Sequence, residues 1–153
     1  MPSDIYVLGT GLSHNGSAVL LKNGSVCVGT EKERLTRLKH DGGNDSLAIQ
    51  YCLAAEGIEL EDISVVVQCA NFNIPDRDNF NGKRVFTGKT FPKIIDISHH
   101  LAHAYSAIGT SPFKRCNIMI IDGCGSPLPQ FLQIHPDQDH LTKKANKRPF
   151  LKW

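Results

Sequence analysis

The chain has 153 residues, enough for one domain with a real core and too few for two of ordinary size. An apolar fraction of 41% and a charged fraction of 21% are those of a globular protein rather than a disordered tail, and no apolar run approaches the roughly 20 residues of a membrane span. The net charge of +2 is uneven: five of the 17 basic and two of the 15 acidic residues lie in 127–153, so the body is near neutral and lacks the basic face that nucleic acid would need.

Five cysteines (Cys27, Cys52, Cys69, Cys116, Cys124) make an odd count with no CxxC pair, which argues against a disulfide framework or a zinc ribbon. With Asp4 and no basic stretch, the N-terminus does not read as a secretory signal, and a reducing cytoplasm is the expected location.

Residues 5–8 read as a first strand, followed by a polar, glycine-rich loop over residues 9–17. Residues 18–21 resume as a strand, Asn23-Gly24 is a strong hairpin signal, and residues 25–28 return. The loop is either an ordinary hairpin connection or a nest of backbone amides facing an anion. The run Glu31 to His40 carries both charge signs and is followed at once by Asp41-Gly42-Gly43. It reads equally as a solvated helix face or as the lining of an anionic pocket by Arg34, Arg37, Lys39 and His40.

Asn44-Asp45-Ser46 can cap a helix over residues 47–56, with Leu47, Ile49 and Leu53 among its apolar positions and Gly57 as its stop. A short turn at 59–63 leads to Val65-Val66-Val67, whose lack of polar alternation predicts a strand covered on both faces. Residues 70–92 form a long polar stretch of the kind that often belongs to a site or a partner. Ile94, Ile95 and Ile97 then predict a short buried strand, and Ser98 can cap a helix without a breaker before Gly109.

On that helix His99 and His103 are four residues apart, so both imidazoles leave one face, while His100 points about a quarter turn away. This is how two metal ligands are placed on rigid backbone, although a bare HxxxH is a weak signal and draws its weight from context. The context is the preceding strand, the small residues Ala102, Ala104, Ser106 and Ala107, and Asp122. Residues 117–121 are apolar and predict another strand, so Asp122 stands at a strand's carboxyl end, ahead of the flexible turn Gly123-Cys124-Gly125-Ser126. From Pro127 onward four prolines in 27 residues predict an irregular tail.

Four blocks in this order and spacing resemble the N-terminal part of the NodU/CmcH family of O-carbamoyltransferases, over roughly residues 4–126. They are Gly9 to Ala18 with HNGSA at its end, the run E-x-E-R-x-T-R-x-K-H from Glu31 to His40, the block HHLAHA from His99, and Asp122-Gly123-Cys124-Gly125. The resemblance implies an α/β fold, the first half of an actin, sugar-kinase and heat-shock-ATPase-like (ribonuclease-H-like) domain: three antiparallel strands, then alternating helices and strands. Residues 1–115 would be the first half of the catalytic domain, 116–126 the first strand and phosphate-type loop of the second half, and 127–153 a proline-rich basic tail.

By the same resemblance, His99, His103 and Asp122 would hold one divalent metal, iron(II) or zinc. That metal would polarise the carbamoyl group of a carbamoyl-adenylate made from carbamoyl phosphate and ATP, for attack by a hydroxyl of a small-molecule acceptor. His14, Lys39 and His40 are the candidates for proton transfer and phosphate contact, and Gly9, Gly11, Ser17, Arg34, Arg37, Gly123 and Gly125 for cofactor binding. The family usually has Asp where this chain has Asn15, and an amide can neither act as a base nor carry charge. The rest of the second half, a later acidic ligand and a YrdC-like domain have no counterpart here, so weakened metal binding and no transfer by the chain alone are expected, with a homo-oligomer or a missing second half as partner. Two other readings are a kinase or nucleotide hydrolase of the same fold, and a non-catalytic metal-binding or regulatory module.

Overall fold

The computed structural model describes residues 4–12, 15–42, 45–70 and 92–122. In chain order they form strands β1 (Tyr6–Leu12), β2 (Gly16–Lys22) and β3 (Ser25–Glu31), helices α1 (Lys32–Thr36) and α2 (Ser46–Glu56), a 3₁₀ turn at Leu60–Asp62, strands β4 (Ile63–Ala70) and β5 (Lys93–Ile97), and helix α3 (His99–Gly109). All five strands join one sheet in the order β3-β2-β1-β4-β5. β2 is antiparallel to both its neighbours, whereas β1 with β4 and β4 with β5 are parallel.

The three opening strands are therefore as the sequence predicts, and so is the hairpin. Asn23 (φ 52°) and Gly24 (φ 84°) both sit in the left-handed region that a two-residue turn of this hand requires. Asn23 adds a side-chain clasp, its Oδ1 accepting from Ile5 N at 2.9 Å. Helix α2 ends where expected: Gly57 has φ 68°, Gly57 N donates to Ala54 O and Ile58 N to Leu53 O, which satisfies carbonyls the helix leaves open.

The two faces of the sheet have different fates because alternate residues point opposite ways. On one face Tyr6, Leu8, Ala18, Leu20, Ile63 and Val66 are buried against Ala48, Ile49 and Cys52 of α2. Of the helix positions predicted apolar, Ile49 is in this core and Leu53 packs on its rim, but Leu47 is 42% exposed. The small residues Ala48 and Cys52, one turn apart, take the contact instead because they let the helix lie close to the strands. Thr10, Gln68 and Asp45 are also buried, and among the described residues Thr10 Oγ1, Asp45 Oδ1 and both polar atoms of Gln68 lack a hydrogen-bond partner. Thr10 and Gln68 are directly paired across β1 and β4.

Four expectations need correction. Residues 9–12 are not loop but the second half of β1, paired with β2 from Gly9↔Val19 to Leu12↔Gly16, since two neighbouring strands offer their backbone a full set of ladder bonds. Among the described residues β4 is covered on one face only: Val66 is buried while Val65 and Val67 are half-buried, because the other face is the floor of a cleft. Among the described residues β5 is a sheet edge rather than a buried strand, and Ile95 is 39% exposed. Residues 117–121 are no strand, since no ladder partner among the described residues takes them; Met119 is 79% and Ile121 81% exposed. The stretch 71–91, the turn 123–126 and the tail 127–153 lie outside the described residues.

Candidate functional site

The open face of the sheet floors a cleft of about 890 Å³. Its floor is low because glycines stand opposite the larger residues: Gly9 pairs with Val19, Val19 with Gly29, and Gly11 with Ser17. A β-carbon at Gly9 would come within 2.9 Å of Val19 Cγ1, and one at Gly11 within 2.7 Å of Ser17 Oγ. Gly9, Gly11 and Ser17, expected to bind a cofactor, line the cleft, Gly9 and Gly11 as ladder residues whose missing side chains make room and not as a loop of amides.

One wall is built by α3. Ser98 stands at its N-cap with extended backbone (φ −71°, ψ 154°), and its carbonyl accepts from Ala102 N at 2.9 Å, although its buried side chain makes no capping bond. Ala102 and Ser106 face the cleft together with His99 and His103, and their small size keeps the helix from filling it. The two histidine rings meet edge-on, 4.7 Å between centroids, and His100 is exposed.

Asp122 comes to the same point from 19 residues beyond His103. Its Oδ2 lies 2.5 Å from His99 Nε2 and 3.3 Å from His103 Nε2, and the two Nε2 atoms are 3.2 Å apart. Three lone-pair atoms converging within 4.8 Å of one another form a donor set for one cation. Two ligands that each stand about 2.0–2.2 Å from a first-row divalent ion are separated by roughly 3.0–3.4 Å, which the two longer separations match. The chemistry of the set, two imidazoles and a carboxylate, fits iron(II) or zinc alike.

Cys69 is a neighbour that spacing rules did not single out. Its Sγ lies 3.9 Å from His99 Nδ1, on the side of the ring away from Asp122, and burial pushes its thiol pKa up, so the sulfur is neutral. The two-residue period of β4, with Val67 and Cys69 both on the cleft face, was the signal that could have found it.

The opposite wall comes from the end of β3 and from α1. Arg34 lines the cleft and its guanidinium faces Glu31 Oε2 at 3.8 Å and Glu33 Oε1 at 3.6 Å. Lys32 turns the other way, donating to Asp41 Oδ1 at 2.7 Å and to Gly42 O at 3.1 Å, and that ammonium holds the Asp41 carboxyl below its usual range. Arg37 is the left-handed cap of α1 (φ 63°) and, like Lys39, is exposed and not among the cleft-lining residues. His40 is exposed and likewise not a lining residue, but its Nδ1 lies 3.2 Å from Oδ1 of the lining residue Asn15, which puts the ring beside the cleft. His14, Gly123 and Gly125 lie outside the described residues. The charged run therefore divides, with Arg34 in the cleft, His40 at its edge, and Arg37 and Lys39 on the surface.

Comparison with known proteins bears on this arrangement. Residues 7–73, from β1 to just past β4, match the family described as carbamoyltransferase N-terminus. The chain is 33% identical over 138 residues to nodulation protein NolNO of Sinorhizobium fredii, covering 73% of this chain and 20% of that protein. It is 25% identical over 148 residues to an uncharacterized protein of Synechocystis sp., covering 73% of the chain and 24% of the relative. A 19.2 kDa uncharacterized protein of Rhizobium etli is 42% identical over 57 residues, 37% of this chain and 33% of its own. The chain thus spans between a fifth and a third of the length of these relatives.

Proposed function

We propose, from the match of residues 7–73 to the carbamoyltransferase N-terminus family, that this chain contributes one part of a site that transfers a carbamoyl group to a hydroxyl of a small-molecule acceptor. The observation that carries the reading is the convergence of His99 Nε2, His103 Nε2 and Asp122 Oδ2 on the wall of a glycine-floored cleft. The sheet order β3-β2-β1-β4-β5 with only β2 reversed supports the ribonuclease-H-like half-domain that the resemblance implies.

In this reading His99, His103 and Asp122 hold a divalent metal, iron(II) or zinc. Such an ion supplies Lewis-acid polarisation of the carbamoyl carbonyl. The remaining work belongs to the chain's own groups. The floor of Gly9, Gly11 and Gly29 lets a flat or phosphorylated ligand approach the sheet, with the Ser17 hydroxyl beside it. Arg34 presents a permanent positive charge to the phosphate side of carbamoyl phosphate, ATP or the carbamoyl-adenylate formed from them. His14, Lys39 and His40 remain the candidates for taking the acceptor's proton and contacting phosphate. Asn15 stands where the family usually has Asp, and an amide at this first-loop position cannot hold magnesium-bound water as a carboxylate does, which sets this reading above a kinase.

Elemental mass spectrometry of the purified chain tests it. Near-stoichiometric iron or zinc is expected in the unaltered chain and its loss in both His99→Ala and His103→Ala. A folded chain that stays metal-free after incubation with either ion would overturn the proposal.

A further inference from the structure

The loop after α1 is pinned at several points. Gly16 N donates to Asp41 O at 3.1 Å, Lys32 Nζ bonds Asp41 Oδ1 and Gly42 O, and the backbone N–H of His40 donates to Glu33 Oε2 at 3.0 Å. Within the loop His40 has φ 55°, a left-handed conformation that is uncommon for a residue with a β-carbon and persists where its surroundings over-determine it. These bonds hold the imidazole against Asn15. His40 Nδ1 is 3.2 Å from Asn15 Oδ1, Asn15 Nδ2 is 3.5 Å from Glu31 Oε1, and the other Glu31 oxygen faces Arg34.

The direction of the proton along this chain follows from what each group can do. An ionised carboxylate only accepts, so Glu31 turns the NH₂ of the Asn15 amide toward itself and leaves the amide oxygen toward His40. A carbonyl oxygen also only accepts, so His40 Nδ1 must donate and must carry the proton. In the neutral ring the lone pair is then on Nε2.

We infer that Asn15, oriented by Glu31, is a positioning residue that sets His40 in the Nδ1–H tautomer, making Nε2 the basic atom of a ring held beside the cleft-lining Asn15. The role of that base rests on the carbamoyl-transfer reading; the tautomer does not. In the transfer step the acceptor's O–H bond breaks and its proton passes to Nε2, while its oxygen bonds to the carbamoyl carbon of the activated carbamoyl phosphate-type donor. The bond from that carbon to the phosphate-side oxygen breaks, and its electron pair leaves on that oxygen. A neutral amide suits this task because it fixes the tautomer without the negative charge that would hold the ring as imidazolium, a form with no lone pair to offer.

The test is nitrogen-15 NMR of the histidine ring nitrogens in the full chain at about pH 8, where a neutral imidazole predominates, with His40 assigned from a His40→Gln spectrum. Expected for His40 is a proton-bearing Nδ1 and a pyridine-like Nε2, the reverse of the tautomer a free imidazole favours. Asn15→Leu is expected to shift the ring to the Nε2–H form, and Asn15→Asp, which still accepts from Nδ1, to retain Nδ1–H. Glu31→Gln removes the orienting carboxylate without touching Asn15 and is expected to mix the two tautomers, so the inference stays testable if Asn15→Leu does not fold. An Nε2–H ring in the unaltered chain, or unchanged tautomers in both Asn15→Leu and Glu31→Gln, would overturn it. The expected tautomers in a chain that binds no metal would count against the carbamoyl-transfer reading alone.

Discussion

Asp45 offers the sharpest quantitative test of the fold. It stands at the N-cap of α2, where its carbonyl accepts from Ile49 N at 3.0 Å, yet its side chain makes no capping bond and the residue is 1% exposed. Burial raises the carboxyl pKa from its ordinary 3.8 to about 6, against smaller opposing contributions from hydrogen bonding and from the charge of Lys32. An acid whose folded pKa is raised binds its proton more tightly in the folded state than in the unfolded one. Stability is therefore highest below the unfolded pKa, falls as pH rises from about 4 to about 6, and stays lowered above that.

At about 1.4 kcal/mol for each tenfold change in proton affinity, the rise from 3.8 to about 6 makes the penalty at neutral pH about 3 kcal/mol. Asp45→Asn keeps the shape and the N-cap preference but has no charge to desolvate. It is expected to stabilise the chain by about 1–3 kcal/mol at pH 7 and to leave stability unchanged near the acid end of the range. Urea unfolding followed by circular dichroism across pH 4–7.5 reads this directly. If Asp45→Asn lowers stability at neutral pH, or shifts it equally at about pH 4 and pH 7, the burial penalty is not the dominant contribution at this site.

Two further perturbations probe the cleft and the loop beside it. Gly9→Ala drives a β-carbon into Val19 Cγ1 and is expected to destabilise by about 1–3 kcal/mol; with Val19→Ala the double variant should recover at least about 1 kcal/mol relative to the sum of the singles in a denaturation cycle. Lys32→Met strips Asp41 of its ammonium partner and should cost up to about 1 kcal/mol at pH 7. Because the Asp41 pKa is lowered in the folded state, that contribution is present above its unfolded value and lost as pH falls through the folded one, so the penalty should shrink toward about pH 3 in the same urea assay.

What the sequence determined by itself was the part written in local rules. The Asn23-Gly24 turn, the stop at Gly57, the apolar strand runs at the N-terminus and the shared face of His99 and His103 each depend on a few neighbouring residues and on the φ, ψ angles they tolerate. Tertiary structure decided everything that needed a partner from elsewhere in the chain. Gly9 and Gly11 read as loop because glycine in isolation signals a turn; they are strand because β2 and β4 flank them and the cleft needs their bare backbone. Residues 117–121 have the composition of a buried strand, but a strand is completed by ladder bonds to a neighbour, and composition cannot supply one. The arrival of Asp122 beside two histidines, the contact of Cys69 with His99 and the burial of Asp45 are likewise distances in space between groups far apart along the chain, and no periodicity encodes them.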